Sequence, residues 1–172
     1  MKSKLIPLVL ILIFLIIFVI FFKGLKNSNI YTPDTNLKKE VPSFELKFFD
    51  DDSIIISEKI FKDNDYYFMN IWASWCIPCK EEHEFLMELK KNERIKLIGF
   101  NYKDNYTNAS SFLKDLGNPY DIILSDKDGT TSIEWGAYGV PESFIVYQNK
   151  IIKRFIGPIS NGDLFEIKKI IR

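Results

Sequence analysis

Cysteine is scarce in this chain of 172 residues, with two, and histidine scarcer still, with one. Two cysteines cannot build a disulfide framework, and a tetrahedral zinc site would have to recruit carboxylates beyond two Cys and one His. Net charge is missing too, since 23 Lys and Arg balance 23 Asp and Glu. The balance is uneven along the chain. Residues 1–26 carry Lys2, Lys4, Lys23 and Lys26 and no acid, which leaves 19 bases against 23 acids over residues 27–172. A mildly acidic domain argues against a nucleic-acid binder. Internal repeats and low-complexity tracts are absent. What the chain has in quantity is apolar mass, 47% hydrophobic and 15% aromatic, enough to bury the core of one domain and to exclude disorder.

That mass is concentrated first in Leu5 to Phe22, 18 consecutive uncharged, apolar residues with Pro7 in the opening turn, where a missing N–H costs little. As a helix the run spans roughly 27 Å, close to the ~30 Å hydrocarbon thickness of a bilayer. Its exit, Phe22-Lys23-Gly24-Leu25-Lys26, lacks the small-x-small site of a cleaved signal peptide. Residues 1–26 are therefore expected to be one uncleaved transmembrane anchor, spanning about 5–22. Lys2 and Lys4 oppose Lys23 and Lys26 across the span, so charge alone does not orient it. Residues 27–40, polar with Pro33 and Lys38-Lys39, suit a tether, and 41–172 form the domain.

Within the domain, hydrophobic patterning predicts strands over Val41–Phe49 and Ile54–Ile56, with Ser57 capping a brief helix. Tyr66–Trp72 is apolar almost throughout, as a central strand covered on both faces must be. A helix to about Lys91 follows, then a strand over Ile95–Phe100 and a helix over Asn108–Leu116 closed by Gly117 and Pro119. Thr130–Trp135 suits a short helix, Ser143–Tyr147 and Ile151–Ile156 a hairpin, and Asp163–Arg172 a closing amphipathic helix. The sum is an α/β fold, a mixed sheet flanked by helices.

Between the central strand and its helix stands Cys76-Ile77-Pro78-Cys79. A sulfur at a helix amino end meets unpaired N–H groups and the positive end of the dipole, which favours thiolate over thiol. Cys76 is thus the expected nucleophile, and Cys79, one turn further in, the resolving thiol that attacks a mixed disulfide on Cys76. An inert structural disulfide is the plain alternative, but closing so short a loop stabilises by only roughly 2 kcal/mol. No metal is expected here, since His83 is the sole imidazole.

The block Trp72-Ala73-Ser74-Trp75-Cys76-Ile77-Pro78-Cys79-Lys80-Glu81-Glu82-His83 resembles the thioredoxin-like active site, and more narrowly that of the membrane-tethered CcmG/DsbE proteins of cytochrome c maturation. The resemblance continues in order through Gly99-Phe100-Asn101-Tyr102-Lys103-Asp104, Gly117-Asn118-Pro119-Tyr120 and Trp135–Phe144. It implies a thioredoxin-like mixed sheet preceded by one transmembrane helix. It implies that Pro141 is the family's cis-proline, against the trans form usual for X-Pro. Glu82 matches the family's helix glutamate, three residues after Cys79 on the same helical face. A semi-buried acid there would disfavour a second charge on Cys79 and could pass its proton; membership of the solvated run Lys80–Glu84 is the other reading. Glu142 matches a second family acid, with the same two readings. Asn70 stands where ordinary thioredoxin carries a buried aspartate. Trp72 and Trp75 are expected to pack and cover the site, and His83 to be exposed without a catalytic role. Ser143, Ala137, Tyr147 and Asn149 depart from the family's usual residues, and the first two border the expected partner groove.

The resemblance implies a thiol:disulfide oxidoreductase, with no cofactor beyond the redox-active Cys76–Cys79 pair. It would sit in the bacterial inner membrane by a single pass, its domain in the periplasm. The expected role is reductant in cytochrome c maturation, acting on the CxxCH sites of apocytochrome c or on a partner maturation thiol protein and re-reduced by a DsbD/CcdA-like membrane donor. Two alternatives remain: a TlpA/ResA-like reductase for copper-site assembly or general periplasmic reduction, and a tethered copper-delivery module using the Cys pair as ligands.

Overall fold

A computed structural model describes residues 2–26, 39–62 and 64–172, in two compact units, 1–34 and 35–172. The described residues of the first unit form one helix, α1 (Lys2–Lys26), with Pro7 in its early turns. Within it Ile6–Gly24, 19 residues with mean hydropathy 3.1, is long and apolar enough to cross a membrane. Of the expected tether, 27–38 lie outside the described residues, while Lys39–Glu40 form a short strand, β1.

The second unit is built on one eight-stranded sheet. After β1 come β2 (Glu45–Phe48), β3 (Ile55–Ser57), β4 (Tyr66–Trp72), β5 (Ile95–Tyr102), β6 (Ile122–Asp126), β7 (Glu142–Tyr147) and β8 (Lys150–Ile156), in spatial order β1-β8-β7-β4-β5-β6-β2-β3. β4, β5 and β6 run parallel, while β7 lies antiparallel on β4 and the outer pairs are antiparallel. The helices are α2 (Ile77–Glu81), α3 (His83–Leu89), α4 (Tyr106–Leu116), α5 (Thr130–Glu134) and α6 (Asn161–Ile170), with one 3-10 turn at Glu58–Ile60. This is the thioredoxin-like arrangement expected.

Alternation along β4 divides the core. Phe68 and Trp72 point to one face, where Leu86 and Leu89 of α3, Leu113 of α4 and Ile167 of α6 cover them; Tyr67, Met69 and Ile71 point to the other, against Phe44, Phe100, Trp135 and Phe144. Both faces are dry, hence a run that is apolar but for Asn70. Asn70 shares the Phe68 face, opposite Ser143 of β7.

Several expectations need correction. The strand expected from Val41 to Phe49 is confined to Glu45–Phe48. β6, Ile122–Asp126, was not foreseen: only five residues long and running straight into the Lys127-Asp128-Gly129 turn, it shows no alternation because both faces are covered. The helix after Cys79 is broken at Glu82, which ends α2 and starts α3. Gly117 closes α4 at φ +90 and ψ 160, a region open to glycine but not the left-handed helical cap expected. Ser57 precedes the 3-10 turn without a side-chain capping bond.

Candidate functional site

β4 ends at Trp72, and the turn Ala73-Ser74-Trp75 delivers Cys76 to the start of α2, at the end of the sheet where the parallel strands finish. Cys76 caps that helix in extended conformation, its N–H on the Ala73 carbonyl at 3.2 Å, and Pro78 lies in the first turn, where its missing donor is not needed. The two cysteines form a disulfide with Cα atoms 5.3 Å apart. The Cys79 N–H donates to Cys76 Sγ at 3.1 Å, so the helix start aims a donor at this sulfur. Cys76 is 5% exposed and Cys79 2%, while Trp75 at 56% and Ile77 at 75% form an apolar rim.

Three residues after Cys79, Glu82 is completely buried. Its Oε1 accepts from Asn70 Nδ2 at 2.8 Å and its Oε2 from the Ile159 N–H at 2.8 Å. Burial outweighs these two donors and pushes its pKa up to about 7. Asn70 also donates to Ser143 Oγ at 2.9 Å and accepts from Tyr120 O–H at 2.7 Å. Burial raises the Tyr120 phenol well above its usual range, so that hydroxyl stays a donor. The surface reading of Glu82 therefore fails, although the carboxylate belongs to a run of charged letters.

Pro141 is cis and buried, at the start of β7. Glu142 is also buried, but its surroundings differ from those of Glu82. Its Oε1 accepts from the N–H groups of Tyr138 and Gly139 at 2.6 and 3.2 Å, and its Oε2 from Arg154 Nε and Nη2 at 2.9 and 2.5 Å. A paired, four-donor carboxylate pins the loop before Pro141. Arg154 was not foreseen from sequence; the available signal was a cation inside the apolar run Ile151–Ile156, which an inward position permits only with a partner. Its guanidinium also lies over the Tyr138 ring at 4.8 Å.

The expectation that His83 is exposed is overturned. It is 4% exposed, its Nε2 bonds the Gly117 carbonyl at 2.9 Å and its ring meets Phe112 edge-on. Burial lowers its pKa, and the neutral imidazole ties α3 to the end of α4. Trp72, buried in the core, stacks on Tyr120, whereas Trp75 remains on the surface. Among the described residues no group of three or more His, Cys, Asp or Glu is placed to hold a metal ion.

The Redoxin family pattern matches residues 37–171. The chain is 36% identical over 159 residues to the thiol:disulfide interchange protein DsbE of Allochromatium vinosum, covering 92% of this chain and 86% of that one. It is 46% identical over 99 residues to the thiol:disulfide interchange protein CycY of Rhizobium leguminosarum bv. viciae, a match spanning 57% of this chain but only 53% of that protein's length. Among solved structures, a DsbF homologue from Corynebacterium diphtheriae superposes with TM-score 0.67 at 20% identity, over 84% of this chain and 96% of the other, a likeness of fold.

Proposed function

The chain belongs to the redoxin family and, within it, to the DsbE-type thiol:disulfide interchange proteins, and from that membership we propose that it is the membrane-tethered reductant of cytochrome c maturation. It is a thiol:disulfide oxidoreductase. The observation that carries the reading is the Cys76–Cys79 disulfide at a helix start with an uncharged-prone buried acid, Glu82, three residues after Cys79.

In the reducing direction the dithiol form acts. The Cys76 thiolate attacks one sulfur of a substrate disulfide, and the other substrate sulfur leaves as a thiolate that takes up a proton. Cys79 then loses its proton and attacks Cys76, closing the Cys76–Cys79 disulfide and releasing the second substrate thiol. Two electrons pass to the substrate and its two sulfurs gain two protons. Glu82, whose pKa burial pushes up to about 7, is suited to accept the Cys79 proton when that thiol must become a nucleophile. Pro141 and the exposed Trp75, Ile77 and Tyr138 would line the partner's approach.

The substrate we propose is the CxxCH pair of apocytochrome c, reached directly or through a partner thiol protein, with a DsbD/CcdA-like membrane donor restoring the dithiol. α1 would hold the chain in the bacterial inner membrane by one pass, its domain in the periplasm. Replacing Cys76 by Ala in the native strain should abolish haem-stained holo-cytochrome c; normal staining would reject the role. In the same strain Cys79→Ala should trap the substrate on Cys76, and the trapped protein identifies it.

A further inference from the structure

We propose that Asp104 is a positioning residue for Cys76, its carboxylate locking the Ala73-Ser74-Trp75 turn so that the sulfur stays on the amino end of α2. The inference rests on Cys76 being the nucleophile. Asp104 lies in the loop between β5 and α4, far from the cysteines in sequence but across from their turn. Its Oδ2 accepts from the Ser74 N–H at 2.5 Å and from Asn101 Nδ2 at 3.0 Å; its Oδ1 accepts from Ser74 Oγ at 2.8 Å and from the Asn105 N–H at 2.8 Å. One residue earlier, the Lys103 carbonyl accepts from Trp75 Nε1 at 3.1 Å. Two adjacent residues of one loop thus hold two adjacent residues of the other.

Helix capping does not account for this arrangement. α4 is capped by Asn105, whose Oδ1 takes the N–H groups of Thr107 and Asn108 at 2.9 and 3.4 Å. Three of the four bonds of Asp104 instead reach back to β5 and to the cysteine turn. The backbone around it is also forced. Lys103 has φ +45, an uncommon conformation for a residue with a side chain, and this turns its carbonyl toward Trp75 while its N–H holds the Asp126 carbonyl at 3.0 Å. Gly129 packs behind the turn, where a Cβ would stand 2.4 Å from Tyr102 Cε2 and 2.5 Å from Lys103 Cε.

The chemical consequence follows from the Cys79 N–H aimed at Cys76 Sγ. That bond favours the thiolate only while Cys76 keeps its place at the helix start, and Cys76 is held from upstream through the turn that Asp104 fixes. Displacements near 1 Å at reacting atoms can cost about 100-fold in rate. The sign of the effect separates this role from a simple charge effect. A neighbouring anion disfavours the thiolate, so removing its charge alone would lower the pKa of Cys76. Losing the clamp raises it.

The test uses the reduced full chain in detergent micelles, on a Cys79→Ala background with one thiol, and measures Cys76 alkylation by iodoacetamide across pH. Asp104→Ala should move the midpoint of the profile up by about one pH unit, so that alkylation well below the parent midpoint slows by roughly tenfold. Ser74→Ala, which removes one of the two bonds Asp104 makes to the turn, should move it in the same direction by less. A midpoint unmoved or lowered in a folded Asp104→Ala protein overturns the proposal. Should that variant not fold, an unmoved or lowered midpoint in Ser74→Ala overturns it equally. A parent protein with the midpoint of an ordinary cysteine is a different result, striking at the nucleophile itself.

Discussion

Asn70 Nδ2 stands 2.8 Å from Glu82 Oε1, with both side chains completely buried, so the one amide of the central strand is the direct hydrogen-bond partner of the acid in the helix break. The relationship explains why both cannot be acids. Asn70→Asp would set two carboxyls against each other in a dry site, and only one could ionise. We expect the variant to lose on the order of 3 to 5 kcal/mol of folding stability at pH 7 and to recover part of it on acidification, measured by urea titration at pH 4.5 and 7. Equal losses at both pH values would contradict this.

Glu82 and His83 are adjacent and should drive stability in opposite directions. Glu82 has a raised pKa, about 7 against 4.5, so its contribution is whole at low pH and is lost as pH rises through that window, by on the order of 3 kcal/mol. His83 has a lowered pKa, so its contribution is present above 6.5 and is lost as pH falls. Glu82→Gln should flatten the decline between pH 4.5 and 7. His83→Gln, which keeps a donor for the Gly117 carbonyl, should flatten the acid side. Thermal melts of the three proteins across pH 4 to 8 check both slopes.

Legibility in the sequence followed the kind of interaction involved. Tyr66–Trp72 and the cysteine pair could be recognised because a dry central strand and a helix start impose local patterns that survive without knowledge of the fold. The hairpin and α6 were similarly clear. Ile122–Asp126 was not, since five residues covered on both sides carry no period. Glu82 and His83 fall in a string of charged letters, Lys80 to Glu84, and their burial depends on the helix breaking at Glu82, which brings Ile159 and Gly117 against them. The ties Glu142–Arg154 and Ser74–Asp104 join residues 12 and 30 positions apart through sheet register and loop packing. No local rule reports such pairs.

Membrane attachment is expected to depend on α1 as an apolar rod. Replacing Phe14 and Ile17, both within Ile6–Gly24, by Arg places two charges near the middle of the candidate span. Each costs about 3 kcal/mol on an insertion scale. The double variant should move from the carbonate-resistant membrane fraction to the soluble fraction, whereas Phe14→Leu should remain behind. Retention of the double Arg variant in the membrane would contradict anchoring by this helix.

The pair Glu142 and Arg154 offers a sharper distinction between holding the fold and shaping the groove. Both side chains are at most 5% exposed, so Arg154→Met should strand a buried carboxylate and cost about 3 to 5 kcal/mol in chemical denaturation. Glu142→Gln combined with Arg154→Met removes both charges, and most of that loss should return because no uncompensated ion remains. The groove should not return with it. The N–H groups of Tyr138 and Gly139 would lose their shared carboxylate, and the Tyr138 ring its guanidinium, on the stretch leading into Pro141. The double variant is therefore expected to melt near the parent temperature while reducing a protein disulfide several-fold more slowly, with Cys76 alkylation by a small reagent unchanged. Recovery of protein-disulfide reduction together with stability would mean that the pair serves the fold alone.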